Sequence, residues 1–359
     1  MFQMKNIQKC DKTPCTVVFA SNEKGVIPLS MTLWSLLKNA KESTTYDVCI
    51  LSEDISDASR KRCVKIAAEF SSRHKLRFFD IRSLFKDREK DWESICKGWP
   101  LSSWSRIFVP DILPEVNRVL YLDIDMLVCD DCSPLFEVDM QGAVLGVVYE
   151  KASAPGTDFN EKLGIPLKYP GYFNTGTLLM DTVQFRKEKL GEKLLDFAFR
   201  NKEILAYPDQ DAMNAVLYDR VFRLHPRWNW NDITTRRVLN HKSNTTALIR
   251  GATFKEVVEA SLYPGILHYC GQYKPWYYNY HITRERYEHA IRESRLPGFN
   301  TSNRWKFSIW LRRILYKPMY AYIWHRLRKL AIELGCTSEP HVTTWGTASD
   351  IAAKDCPQK

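Results

Sequence analysis

"RVLYLDIDMLVCDD", Arg118 to Asp131, carries a buried-strand pattern straight into two carboxylates and then returns to Met126–Leu127–Val128. Arg118–Ile124 reads as an inner strand, its apolar run Val119–Leu122 leading to Asp123 and Asp125 at the carboxyl end. Side chains alternate along an extended chain, so aspartates separated by one residue are expected to point the same way. Side by side and unpaired, they would repel and resist ionisation. A divalent cation removes that conflict, and hard oxygen ligands suit Mg²⁺ or Mn²⁺, ions that also take up phosphate oxygens.

That strand belongs to a series. Cys15–Ala20, Tyr46–Leu51, Lys75–Ile81 and Ala143–Val148 have the same buried character. Between them, Leu29, Leu33, Leu36 and Leu37 fall at helical spacing, and Asp54–Phe70 reads as a helix with Val64, Ala67 and Ala68 on one face. The alternation predicts an α/β sheet with helices on both faces. In such sheets ligands bind at the carboxyl ends of the strands, where Asp123 and Asp125 lie. Tyr149–Pro170 is irregular and reads as a long loop of the kind that often binds or covers a ligand. Tyr172–Asp181 returns to strand character, and a helix is expected from there to about Arg200. "YPDQDAMNAVLYD" then reads as a turn entering a short helix, with Asp209 near its N-terminus.

The chain has 359 residues, 45% of them hydrophobic and 13% aromatic, enough for a packed core and too many for a disordered chain. A net charge of +10 favours an acidic partner: nucleic acid, a phosphorylated substrate or anionic lipid. The opening stretch is polar and no run of about 18 apolar residues occurs, so a cytoplasmic location is expected, with the ten cysteines as thiols. Cys129 and Cys132 form a C-x-x-C, but no second pair stands at zinc-finger spacing, and ordinary half-buried thiols are the default. The sequons at Asn244 and Asn300 carry little meaning without secretion.

From Arg304 to Lys329 the chain is basic and aromatic, with no acidic residue. Phe307, Trp310, Leu311, Ile314 and Leu315 fall at helical spacing, Pro318 interrupts, and Tyr320, Ile323, Trp324, Leu327 and Leu330 resume. Two short amphipathic helices of this kind suit an anionic membrane surface, the alternative being that their faces pack on the preceding domain. Nothing upstream resembles a nucleic-acid module, so no nucleic acid partner is expected. The expected organisation is a tail at 1–14, a main domain at 15–300 and a basic aromatic extension at 301–359.

A second stretch, "ILHYCGQYKPW" (Ile266–Trp276), places His268, Gly271 and Lys274 after another apolar run. Histidine can complete a metal site with two aspartates, glycine lets a backbone approach phosphate, and lysine supplies a point charge. Each alone has a structural reading, a core histidine or a surface lysine. Together with "VVFASNEKGVIPL", "SRIFVPDILPEVNRVLYLDIDMLV", "YFNTGTLLMD" and "YPDQDAMN", the stretch resembles the family-8 retaining glycosyltransferases, in family order and spacing from Thr16 to Trp276. Bacterial lipopolysaccharide and lipooligosaccharide glucosyl- and galactosyltransferases are the nearest in character, and their membrane-attachment segment resembles the C-terminal extension.

The resemblance implies a single-sheet, Rossmann-like nucleotide-diphospho-sugar transferase fold of the GT-A type with a C-terminal helical extension. It implies transfer of glucose or galactose from a UDP-sugar to a lipid-linked or lipopolysaccharide-core acceptor, at the inner face of the cytoplasmic membrane. Asp123, Asp125 and His268 match its Mn²⁺ ligands, with Mg²⁺ a second candidate. Gly271 and Lys274 match diphosphate contacts, Arg106 and Asn174 match donor-sugar contacts, and Asp209 and Gln210 lie beside the transferred sugar. In the loop after the first strand, Asn22 stands where aspartate is common and Lys24 where asparagine is common. Gln210, a neutral amide, is a poor nucleophile, and the family picture favours front-face attack over double displacement through Asp209 or Asp211. Structural roles compete here too: Asp209 as a helix cap, Asn174 in a turn, Arg106 in an ion pair. Other function classes are a family-8 transferase with a protein or soluble acceptor, a metal-free glycoside hydrolase with one protonated carboxyl, and a non-enzymatic peripheral membrane module.

Overall fold

The computed structural model describes residues 14–150, 159–166, 171–231, 252–271, 274–276, 283–299 and 307–336, with backbone alone at 87–91, 159–160, 307–318 and 320. Most of the expected 1–14 tail, most of the Tyr149–Pro170 loop, both sequons and residues 337–359 lie outside them.

The strands, in chain order, are β1 (Cys15–Ser21), β2 (Tyr46–Ser52), β3 (Lys75–Asp80), β4 (Arg118–Leu122), β5 (Met126–Val128), β6 (Leu145–Tyr149), β7 (Phe173–Asp181), β8 (Val221–Arg223), β9 (Trp230–Asn231) and β10 (Ile266–His268). Seven form one sheet in the order β3-β2-β1-β4-β7-β6-β8. β1 to β4 are mutually parallel, whereas β7 runs antiparallel to both β4 and β6. Central strands buried on both faces read as continuous apolar runs, and β1 has no residue from Thr16 to Ser21 exposed. The order β3-β2-β1-β4 reverses direction at β1/β4, so a crevice opens at the carboxyl ends of these two strands. The α/β fold expected from the alternation of strands and helices is thus present.

Beside the main sheet lies a three-stranded one, β5-β10-β9. It alters how the two aspartates are presented. They were expected to share a face of one extended strand; instead β4 ends at Leu122, and Asp123–Asp125 form a bend between the two sheets. The Asp123 N–H still bonds the Gly176 carbonyl of β7 at 2.8 Å, and the chain then turns to pair β5 with β10. Turn geometry, not strand pleat, brings the carboxylates together.

The helix Val26–Lys38 holds that bend. Its apolar stripe, Leu29, Leu33, Leu36 and Leu37, is buried as expected. A polar stripe at Thr32, Ser35 and Asn39 runs along β5: the Thr32 hydroxyl donates to the Ile124 carbonyl at 2.6 Å, Ser35 accepts from Val128 N at 3.0 Å, and Asn39 donates to Val128 O at 3.0 Å. These side chains satisfy backbone groups of β5 and of the bend before it that β10 does not pair.

The two expected tail helices are one helix, Phe307–Glu333, running unbroken through Pro318. A mid-helix proline forfeits one backbone hydrogen bond and disfavours the helix by about 3 kcal/mol. Docking of the C-terminal half opposes that cost: Ile323, Leu327 and Ala331 are buried where the helix packs on Phe254–Leu262. Part of the apolar stripe therefore faces the domain, while Tyr322, Arg326, Arg328 and Lys329 face solvent. No described helix is long and apolar enough to cross a membrane.

Candidate active site

The antiparallel register of β5 and β10 sets His268 opposite Met126, directly after the Asp123–Asp125 bend. One ligand atom each from Asp123, Asp125 and His268 lies within 4.8 Å of the others. His268 Nε2 is 3.2 Å from Asp125 Oδ1 and 3.7 Å from Asp123 Oδ2. Two carboxylates with one imidazole suit Mn²⁺; the nitrogen ligand favours it over Mg²⁺, which prefers oxygen alone. The residues fit such an ion. Lys274 Nζ donates to Asp125 Oδ2 and to the Tyr269 carbonyl. Burial would raise the Asp125 pKa, but the charges of His268 and Lys274 outweigh it and hold that pKa well below the usual carboxylate range. Gly176 of β7 makes room for the imidazole, since a Cβ there would sit 2.3 Å from His268 Cε1.

Arg106 anchors the other side. It leaves the short helical run Leu101–Phe108, is almost fully buried, and stacks over the Tyr121 ring at 4.7 Å. Its guanidinium reaches Asp123 Oδ1 at 2.9 Å, Asp209 Oδ2 at 3.1 Å and the Thr175 carbonyl at 2.6 Å. Burial opposes its charge, yet the adjacent carboxylates prevail and keep it protonated. Asp209 and Gln210 open the helix Pro208–Leu217. Burial pushes the Asp209 carboxyl up to about 6 despite Arg106. Gln210 accepts from the Thr175 N–H at 3.0 Å and donates to Glu150 Oε1 at 3.2 Å and to the Tyr172 hydroxyl at 3.0 Å.

Arg106, Asp123, Asp125, Asn174, Asp209, Gln210, His268 and Lys274 thus converge. Gly271 follows them at φ +76°, a left-handed conformation that glycine adopts without strain. Asn22 sits at the end of β1, where its side chain accepts from the Gly25 N–H and caps the turn Glu23–Gly25. Two residues outside every motif join the group. Glu150, just beyond β6, accepts from Asn174 as well as Gln210, and Asn229 lies between His268 and Asn174. Burial raises the Glu150 pKa, opposed by the His268 charge. Val148, Tyr149, Glu150, Asn174, Asn229, Asn231 and Cys270 line a cavity beside His268. Glu150 was findable by the rule that singled out Asp123, a carboxylate at a strand's carboxyl end; Asn229 carried no such signal.

A cavity with apolar walls and convergent polar groups, three amides and one carboxyl, beside a carboxylate–imidazole cluster suits a ligand that carries both hydroxyls and an anion. The sequence profile described as Glycosyl transferase family 8 matches residues 16–280. General stress protein A of Bacillus subtilis is 29% identical over 264 residues, covering 72% of this chain and 86% of that protein. Lipopolysaccharide 1,2-glucosyltransferase of Escherichia coli is 28% identical over 180 residues, half of each chain. The crystal structure of the galactosyltransferase LgtC with donor and acceptor sugar analogs superposes with a TM-score of 0.64 at 22% identity, covering 77% of this chain and 95% of that one.

Proposed function

The chain belongs to glycosyl transferase family 8, and from that premise we propose that it is a retaining, metal-dependent hexosyltransferase moving glucose or galactose from a UDP-sugar to a glycan acceptor. The observation that carries this reading is the convergence of Asp123, Asp125 and His268 within reach of one ion, with Arg106 and Asp209 alongside. Asp123, Asp125 and His268 would hold Mn²⁺. When bound, the ion supplies Lewis-acid neutralisation of charge on the departing diphosphate. Lys274 and the open backbone at Gly271 would serve the same diphosphate. Arg106 fixes Asp209 as a hydrogen-bond acceptor for donor hydroxyls, and Asn174, Gln210 and Glu150 line the space for the hexose. Gln210 forms no stable ester-like adduct, which favours attack from the face of the leaving group. Asn22 and the turn it caps lie at the same sheet edge and are assigned to the nucleoside.

An acceptor in the lipopolysaccharide core or another lipid-linked oligosaccharide is supported by the E. coli relative and by the net charge of +10. The exposed basic side of Phe307–Glu333 is assigned to the inner face of the cytoplasmic membrane. A protein or soluble acceptor is the second reading, favoured by the partial burial of that helix against the domain.

The test is donor hydrolysis by the purified protein, with Mn²⁺ and then with chelator, across UDP-glucose, UDP-galactose, their N-acetyl forms and a GDP-sugar. Metal-dependent turnover of one UDP-hexose is expected. Chelator-insensitive turnover would point instead to a hydrolase using paired carboxyls.

A further inference from the structure

We propose that Asn229 is a positioning residue for the metal site: it accepts from the Nδ1–H of His268, so that Nε2, which faces Asp123 and Asp125, is the ring nitrogen a metal ion would take up. The inference rests on the metal-site reading above and adds to it the group that orients the imidazole. Neither ring nitrogen of a histidine declares its proton, nor does an asparagine declare which end is oxygen. Here both follow from a backbone group whose polarity is fixed.

The hydrogen-bond chain starts in β7. The Gly176 N–H can only donate, and it donates to the side chain of Asn174 at 2.8 Å, so that atom is the Asn174 carbonyl oxygen. The same oxygen faces the Asn229 side chain at 2.8 Å, so Asn229 presents its NH₂ there. The other end of Asn229 is then a carbonyl oxygen, and it lies 2.9 Å from His268 Nδ1. An oxygen acceptor requires a proton on Nδ1. Nε2 is left for the ion, at 3.2 Å from Asp125 and 3.7 Å from Asp123. Both side chains are buried, with Asn229 7% and His268 4% exposed, so water competes little for these bonds.

A second backbone donor fixes the other branch. The Thr175 N–H donates to Gln210 Oε1 at 3.0 Å, so Gln210 turns its NH₂ to Glu150 Oε1. Asn174, its carbonyl already assigned, turns its NH₂ to Glu150 Oε2 at 3.3 Å. Glu150 receives a donor on each oxygen and joins the two branches. From adjacent N–H groups of one strand, every amide between the metal ligand His268 and Gln210 has one allowed orientation. Ligating histidines characteristically donate their second N–H to an oxygen acceptor, which orients the ring and raises its basicity.

The test is Mn²⁺ binding to the full chain without nucleotide, by calorimetry, for the wild type, Asn229→Leu and Asn229→Asp, with melting temperatures alongside. Asn229→Leu removes the acceptor and is expected to weaken Mn²⁺ binding about 10- to 100-fold. Asn229→Asp keeps an oxygen for Nδ1–H and is expected to bind Mn²⁺ at least as tightly as the wild type, while losing donor turnover because its carboxylate faces the Asn174 carbonyl. Unchanged Mn²⁺ affinity in Asn229→Leu overturns the inference, and so does equal weakening in both variants, the mark of a packing role. Should Asn229→Leu not fold, Asn229→Asp decides alone: loss of Mn²⁺ binding in it refutes the role. Absence of Mn²⁺ binding in the wild type refutes instead the metal site on which the inference rests.

Discussion

The stretch from Arg118 to Asp131 contains two pairs of aspartates, one on each side of β5, and they are used in opposite ways. Beyond β5, Asp131 is buried and closed off: it accepts from the Tyr46 hydroxyl at 2.6 Å and the Thr44 hydroxyl at 2.9 Å, with Ser133 also on it. Its neighbour Asp130 accepts from Arg227 at 2.7 Å. The hydroxyls around Asp131 tie β2 to the end of β5. Before β5, Asp123 shares Arg106 with Asp209 and His268 with Asp125, which also meets Lys274, and the environment drives the carboxyls apart, Asp125 well below its ordinary pKa and Asp209 up to about 6. The cluster around Asp131 holds its carboxylate in fixed hydrogen bonds to neighbouring hydroxyls. The one around Asp123 and Asp125 keeps several charges of each sign beside a cavity, in an arrangement that a ligand can redistribute.

Variants can break or sharpen that contrast. The largest effect is expected from Gly176→Ala, which drives a methyl into the His268 ring. Donor turnover should fall by roughly 10²- to 10³-fold as the imidazole is displaced from its working geometry. Turnover near the wild-type value would mean that the imidazole needs no such closeness. Next comes the closed cluster. Asp131→Ala strands the Tyr46 and Thr44 hydroxyls and should lower stability by about 2–3 kcal/mol in urea unfolding, with kcat of the folded fraction unchanged. A fall in kcat without loss of stability would erase the distinction between the two clusters.

The third expectation concerns pH. A carboxyl raised to about 6 in the folded state keeps its proton where the unfolded chain, near the ordinary 3.8, has lost it. Its contribution favours folding at low pH and is lost as pH rises from about 4 through about 6. Asparagine cannot ionise, so in the metal-free protein the stability of Asp209→Asn relative to wild type should grow between pH 4 and pH 7, by at most about 3 kcal/mol. A difference that stays flat across that range would show that Asp209 ionises as an ordinary carboxyl.

The α/β architecture and most of the site were legible because strands and helices alternate and the chemistry-bearing residues cluster in short motifs. Asp123 with Asp125, Asp209 with Gln210, and His268 with Lys274 are each local in sequence, and only their meeting is tertiary. The bend at Asp123–Asp125 was misread as strand because nothing local announces the second sheet; β5 and β10 are three-residue strands that exist only by pairing with partners far away in sequence. Pro318 was read as a break because local propensity was weighed without the docking of Ile323 and Leu327. Asn229 lies in "RWNWND", a stretch whose aromatics hide a polar residue with long-range partners on either side.

The central claim is that Asp123, Asp125 and His268 hold a divalent ion beneath a nucleoside diphosphate. Calorimetric titration of UDP into wild type and Asp125→Ala, each with and without Mn²⁺, tests it directly. The account predicts that wild type binds UDP strongly only with Mn²⁺, and that Asp125→Ala loses the Mn²⁺-dependent part while melting no lower than wild type. Mn²⁺-dependent UDP binding of wild-type strength in Asp125→Ala would contradict it.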